Sequence, residues 1–273
     1  MSSPGLQQDV INRRAWGSWG ARHWYRALSD WTDPGEAAAV ALVADSVRGT
    51  PILDVGVGGG RTVPLLRRLS TDYQAIDYMQ EMVDICRRNH PGVRVRLMDA
   101  RDLSAFDDNS FGLIAFSFNG IDAVDYAGRQ AILREFKRVL HPGGRLIFST
   151  HNLQGPSYRE TPIRGLHWPS GSNNPLRLGF GVARIVINFP LAAINYRRNS
   201  RLNREFDGYA IHVCAAHKFA IVIVYTELQH QQRELAALGL ETEAVFGNLD
   251  CQPLTLGKPL RDVNWFHFVA RKP

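Results

Sequence analysis

Short apolar runs recur along the first half of the chain, at Ile52–Val55, Tyr73–Ile76, Val93–Met98, Phe111–Phe116 and Arg145–Thr150. Between most of them lie stretches with helical periodicity, at Thr62–Leu69, Glu81–Asn89 and Tyr126–Leu140. This alternation predicts a parallel sheet with helices on both faces. Phe111–Phe116 is almost continuously apolar, as a strand buried on both sides should be. Asp33-Pro34-Gly35-Glu36 predicts a helix start, with Asp as N-cap, Pro in the first turn and Glu closing a capping box, and the Ala-rich helix should run to about Val47. Further on, Tyr209–Val213 and Phe219–Tyr225 predict a hairpin. Thr226-x-x-Gln229 predicts a second capping box opening a helix to about Leu238, and Leu240–Phe246 and Val263–Ala270 predict two closing strands.

The first strand runs into four glycines within five positions, Gly56-Val57-Gly58-Gly59-Gly60, followed by Arg61-Thr62. A strand, a Gly-rich turn and a helix start together make a nucleotide or nucleoside site, because glycine leaves no Cβ between backbone and ligand. Gly56 and Gly58 fit the dinucleotide pattern G-x-G-x-x-G, but its third glycine is replaced by Arg61; the spacing that fits is G-x-G-x-G through Gly60. Acids then close three successive strands: Asp54, Asp77 and Asp99. Asp77 lies about twenty residues past the turn, where a carboxylate can take both ribose hydroxyls. A lone strand-end Asp is more often a cap or turn residue. Three on the same carboxyl edge are hard to explain that way.

With these residues in place, the chain resembles the class I S-adenosylmethionine-dependent methyltransferases. The resemblance is carried by Ile52–Thr62, by Ala75-Ile76-Asp77-Tyr78-Met79-Gln80-Glu81-Met82, by Met98-Asp99-Ala100 and by Phe136–Leu146, which contains His141-Pro142-Gly143-Gly144. It covers roughly residues 50–152 strongly and the last fifty weakly. It implies an α/β, Rossmann-like seven-stranded sheet, mostly parallel with an antiparallel last strand, helices on both faces and an inserted cap. The implied organisation is 1–152 for N-terminal helices and the cofactor half, 153–217 for the cap, and 218–273 for the closing helix and strands. The implied cofactor is S-adenosyl-L-methionine, held by Asp54, Gly56, Gly58, Gly60, Asp77, Tyr78, Met82, Asp99 and Ala100. Arg61 would pair with its carboxylate, and backbone around Ser117 and Asn119 would hold its amino group. An N-terminal helix often covers the cofactor in this family, which makes Tyr25 and Trp24 the candidates for an aromatic contact. Gly112 stands where many relatives carry an acid, a departure expected to affect packing.

Composition narrows this picture. The 273 residues, 45% hydrophobic, suit one α/β domain with a large insertion. The three cysteines, Cys86, Cys214 and Cys251, form no metal-spaced pair, so neither a zinc site nor a disulfide framework is expected and a reducing, cytoplasmic setting is consistent. The first residues have neither a basic nor an apolar segment of the signal-peptide kind. Much of the net charge of +6 sits in 153–210, where eight arginines face only Glu160, Glu205 and Asp207. Within it, Leu178–Tyr196 is apolar but broken by Gly179, Gly181, Arg184 and Pro190. A lid with an apolar inner wall is the preferred reading; a homodimer contact and shallow attachment to an acidic membrane stay open.

Methyl transfer from a sulfonium is an in-line displacement in which positioning does most of the work. A base is needed only for a protonated nucleophile, and His151, just past the fifth strand, is the best-placed candidate, with His167, His212 and His217 as alternatives. The sequence therefore points to methyl transfer to oxygen, nitrogen or carbon of a small or medium organic acceptor. Three rivals remain: methylation of RNA or protein, suggested by the aromatic and arginine mix of 10–31; a nicotinamide oxidoreductase, disfavoured by Arg61; and a non-catalytic module that binds the cofactor.

Overall fold

The computed structural model describes residues 4–27, 31–164, 175–255 and 259–273. His167 and the side chain of Trp24 lie outside the described residues.

Three helices precede the sheet: α1 (Pro4–Trp16), α2 (Trp19–Ala27) and α3 (Pro34–Val47). The last begins as expected, with the Asp33 carboxylate accepting from the Glu36 N–H at 2.8 Å. The Glu36 side chain does not close a capping box; it is drawn away to Arg61. The sheet then builds from β1 (Ile52–Val55), α4 (Val63–Leu66), β2 (Tyr73–Asp77), α5 (Gln80–Asn89), β3 (Arg94–Leu97), β4 (Phe111–Phe116), α6 (Tyr126–Val139) and β5 (Leu140–Asn152). β1 to β5 are parallel, in the order β3-β2-β1-β4-β5. All six residues of β4 and all four of β1 are buried, because helices cover both faces. α4 is a single turn, shorter than the Thr62–Leu69 expected.

After β5 come α7 (Pro175–Asn199), β6 (Arg204–Phe206), β7 (Tyr209–Cys214), the one-turn α8 (Ala216–Phe219), β8 (Ile221–Thr226), α9 (Leu228–Ala237), β9 (Glu241–Gly247) and β10 (Trp265–Arg271). β10 runs antiparallel against β5 and β9 antiparallel against β10, which gives seven strands the order β3-β2-β1-β4-β5-β10-β9. These are the seven strands expected, and among the described residues β8, β7 and β6 extend the sheet further, beyond the tip of β5. They join it only through His151↔Tyr225 and Asn152↔Thr226. Thr226 is thus the last residue of β8, and α9 takes Glu227 as its N-cap, one residue later than the capping box predicts. The Tyr209–Tyr225 hairpin forms as β7–β8. The boundary expected at 217 falls inside the turn of that hairpin.

The broken apolar stretch Leu178–Tyr196 lies within a helix, the longest among the described residues. α7 continues through Pro190 for 25 residues, although Gly179, Gly181 and Pro190 read as interruptions. Two apolar layers, one on each face of the sheet, form the core; Leu53, Phe116, Phe136, Phe148 and Phe268 lie in one and Val43, Ile52, Val83, Leu113 and Ile147 in the other. At Gly112 a Cβ would come within 2.2 Å of Thr50 Oγ1 and 2.9 Å of His141 Nε2, so no larger residue fits there without rearrangement.

Candidate active site

The glycine turn leaves β1 with Gly56, Gly58 and Gly60 all at positive φ, a backbone path that side-chain-bearing residues rarely take. It is held from three sides. A Cβ on Gly56 would strike the Phe116 ring at 2.5 Å, and one on Gly58 would touch the Tyr25 ring at 3.2 Å. The Asp77 carboxylate accepts from the Gly58 N–H at 2.9 Å with Oδ2 and from the Met79 N–H at 2.9 Å with Oδ1. Burial pushes the Asp77 carboxyl up to about 6 against the pull of those amides. Burial and the Asp77 charge raise the Tyr25 hydroxyl as well.

Asp54 lies beneath the turn. Its Oδ2 accepts from the hydroxyls of Thr62 and Tyr73, while Oδ1 is buried without a partner among the described residues. Its carboxyl too is pushed up to about 6, chiefly by burial. Arg61 is fully engaged: it makes a two-pronged pair with Glu36 at 2.6 and 2.8 Å and donates to the Ser117 hydroxyl and the Trp31 carbonyl. Its guanidinium is thus committed within the protein rather than held out at the site entrance, and it ties α3 and the β4 loop to the turn.

At the next strand end, Asp99 is bound by Arg101, at 2.6 Å, and by Arg13, at 3.3 Å. Burial raises its carboxyl, but these cations outweigh it and leave Asp99 below the usual carboxylate range. The Arg13 guanidinium also lies 4.3 Å from the Tyr78 ring centre, and the Tyr78 hydroxyl is buried with no partner among the described residues. Met82 and Ala100 are buried in the same neighbourhood. Past β4, Phe118 and Asn119 both adopt left-handed backbone, the Asn119 N–H donates to Ser149, and the Asn119 Oδ1 is buried and unpartnered.

His151 stands at the end of β5. Its Nδ1 lies 2.8 Å from Asp122 Oδ2, which also accepts from the His151 backbone N–H at 2.7 Å. An acceptor at Nδ1 fixes the tautomer and leaves Nε2 free of protein partners among the described residues. Asp122 is fully buried, its Oδ1 accepting from Thr150 and from Arg129, itself fully buried and bonded to Gln231. Rings continue from His151 in both directions. Tyr225 lies at 5.3 Å and Tyr158 5.2 Å beyond it; Trp265 lies at 6.2 Å, then Phe118 at 6.1 Å and Trp31 at 5.5 Å. Sequence reasoning assigned no role to Asp122, Arg129, Trp265 or Tyr225. His212 packs on Tyr158, and His217 on Trp16.

A mostly parallel sheet with the order β3-β2-β1-β4-β5-β10-β9 and a reversed strand beside β5 is the class I methyltransferase fold. Residues 52–144 match the model of a methyltransferase domain family. The chain is 32% identical over 109 residues to a ubiquinone biosynthesis O-methyltransferase of Xanthomonas oryzae pv. oryzae, an alignment covering 38% of this chain and 44% of that protein. For the corresponding Xanthomonas campestris pv. campestris protein the figures are 31% over 148 residues, 52% and 58%. The chain thus spans about half the length of the curated relatives it matches. Among solved structures it resembles the 1,6-didemethyltoxoflavin-N1-methyltransferase of Burkholderia thailandensis, with bound 1,6-didemethyltoxoflavin and S-adenosylhomocysteine (TM-score 0.59, 13% identity, 100% of this chain and 91% of that one). It also resembles an S-adenosylmethionine-dependent methyltransferase of Thermotoga maritima (TM-score 0.54, 15% identity, 97% and 99%).

The residues present fit S-adenosylmethionine. The glycine turn brings bare backbone to a buried carboxylate, and two buried polar atoms nearby, on Tyr78 and Asn119, have no partner among the described residues. Among those residues no cluster suits a metal ion, and no helix is long and apolar enough to cross a membrane.

Proposed function

We propose that the chain transfers a methyl group from S-adenosylmethionine to a hydroxyl or amine of a small, planar organic acceptor, with His151 as the base. The observation that carries this reading is the His151–Asp122 contact of 2.8 Å inside an arc of aromatic rings. The bound cofactor supplies an already activated methyl group. Asp77 takes the ribose hydroxyls, Ala100 and Asp99 flank the adenine, Tyr78 and Met82 pack on it, and the unpaired Asn119 Oδ1 accepts from the amino group. Asp54 and Arg61 keep the turn in shape. Tyr25 closes the site, since its ring lies on Gly58. His151 Nε2 takes the acceptor's proton while Asp122 holds the ring and stabilises the imidazolium. The rings of Trp265, Tyr225 and Tyr158 position a planar acceptor and exclude water, which matters because charge disappears on transfer. Residues beyond Asn152 shape the acceptor side.

A small acceptor is favoured over RNA or protein because the His151 side chain is only 15% exposed and is flanked by the Tyr225 and Trp265 rings.

Calorimetric titration tests the cofactor half: S-adenosylmethionine and S-adenosylhomocysteine should bind and NAD should not. A panel of phenols and aromatic amines then tests the acceptor half. Cofactor binding without turnover on any acceptor would favour a non-catalytic role.

Asp77→Ala is expected to weaken cofactor binding by about 1.5–3 kcal/mol, the range for hydrogen bonds to a charged group. The wild type should show the same trend with pH. The folded Asp77 carboxyl titrates near 6 rather than at 3.8, so burial disfavours its charged form, and the stability it lends the fold is present below 3.8 and lost as pH rises to about 6. Ribose hydroxyls donate best to the charged form, so cofactor affinity should fall as pH drops below about 6. Calorimetry across that range checks both, and an Asp77→Ala protein that binds like wild type removes Asp77 from the site.

A further inference from the structure

α7 exposes Val186, Ile187, Leu191 and Ile194 at 65%, 72%, 45% and 64% of their surface. Residues 187, 191 and 194 are spaced four and three apart, so they form one stripe along the helix, and Arg198 continues it four positions on. From Val186 to Tyr196 there is no charged residue. A different face of the helix fastens it to the protein: Asn195 donates to the Lys218 carbonyl at 3.0 Å, Asn199 to the Phe219 carbonyl at 2.9 Å, and Tyr196 packs edge-on against Phe219. The stripe is therefore left outward on an anchored helix. Exposed apolar residues in such a row are uncommon on a surface that meets only water.

At its C-terminal end the stripe meets positive charge. Arg197, Arg198 and Arg201 form no ion pair among the described residues. Arg198 and Arg201 line an open cleft of about 400 Å³ together with the apolar Val10, Ile11 and Leu202 and the polar Gln7 and Asn199. Apolar walls beside two unpaired guanidinium groups suit a phosphate attached to an acyl chain.

We propose that this face of α7 docks shallowly on an anionic lipid bilayer, with Ile187, Leu191 and Ile194 entering the acyl boundary and Arg198 and Arg201 taking lipid phosphates. Charge decides against a second copy of the chain as the occupant. α7 carries arginine at 177, 184, 197 and 198 and no acid, so pairing the helix with itself sets like charge against like. An anionic surface complements the same arrangement. The proposal does not rest on the methyltransferase reading, because binding to lipid is measured without turnover.

The test is flotation of the full chain with vesicles of phosphatidylcholine alone and with about one-third phosphatidylglycerol. Binding is expected on the anionic vesicles, should weaken with added salt, and should be absent on the neutral ones. Arg198→Ala with Arg201→Ala should lower partition about twenty-five-fold, at about fivefold for each cation near an anionic surface. Ile187→Asp with Ile194→Asp should lower it at least about tenfold. All four side chains project outward, so melting should match wild type; if the aspartate variant nevertheless melts early, the arginine variant and the lipid series decide. Absence of binding to anionic vesicles, or binding that neither variant changes, overturns the proposal. So does a wild-type dimer in solution that the isoleucine substitutions dissociate, which would assign the face to a second copy.

Discussion

His151→Ala should lower turnover on a hydroxyl acceptor by about 10²- to 10⁴-fold, the range for a positioned general base, while leaving cofactor affinity near wild type. The two readouts separate because His151 belongs to β5 and the acceptor arc, whereas the glycine turn and Asp77 belong to β1 and β2. Asp122→Asn should cost part of the same factor. Its amide can still bond at Nδ1 but carries no charge to stabilise the imidazolium, and it can impose the wrong tautomer. Single-turnover rates with a phenol, alongside calorimetry with S-adenosylhomocysteine, measure both effects. An acceptor amine that is already neutral should be less affected. Undiminished turnover of His151→Ala on a phenol would remove the base from the mechanism.

Arg129→Met should cost the fold about 3–5 kcal/mol, the price of breaking a buried ion pair at one end. Arg129 and Asp122 are both wholly inaccessible to solvent, so Asp122 left alone has no water to turn to. Its remaining donors are Thr150 and the two His151 groups, whereas Arg129 also links it to Gln231 on α9. Met fills similar volume, so the loss is electrostatic rather than a cavity. Asp122→Asn added to Arg129→Met should recover part of the loss, because the orphaned charge is then gone. Urea unfolding of the two single variants and the double variant gives the coupling, and additive losses would mean that the pair contributes nothing beyond its parts.

Much of the proposed cofactor side was legible because its signals are local. Asp54, Asp77 and Asp99 each end an apolar run, and the glycines between β1 and α4 need no partner to be recognised. The proposed acceptor side depends on topology. Asp122 meets His151 because the β4–β5 register pairs Phe116 with Phe148 and so brings the turn after β4 beneath the end of β5. Twenty-nine residues separate the two, and no sequence period connects them. Glu36 reads as a capping residue, yet a bidentate arginine outcompetes a single backbone amide for its carboxylate. Thr226 reads as a helix cap, but pairing with both Asn152 and Tyr209 keeps it in the strand. Pro190 reads as a break in the apolar run, yet α7 passes through it; a proline removes one internal bond, and a long helix secured beyond that point by Asn195 and Asn199 tolerates the loss.

The chain leaves the main sheet at Asn152 and comes back at Thr226, and these two residues are register partners, with the Leu153 N–H donating to the Thr226 carbonyl at 3.0 Å. Everything between them is one excursion whose entrance and exit touch. A segment with adjoining ends can be exchanged without altering the distance the rest of the chain must span. Residues 153–225 are therefore a natural cassette for chimeras: transplanting the corresponding piece of another methyltransferase between these two splice points would redirect acceptor choice while β1 to β5 and the glycine turn stay as they are.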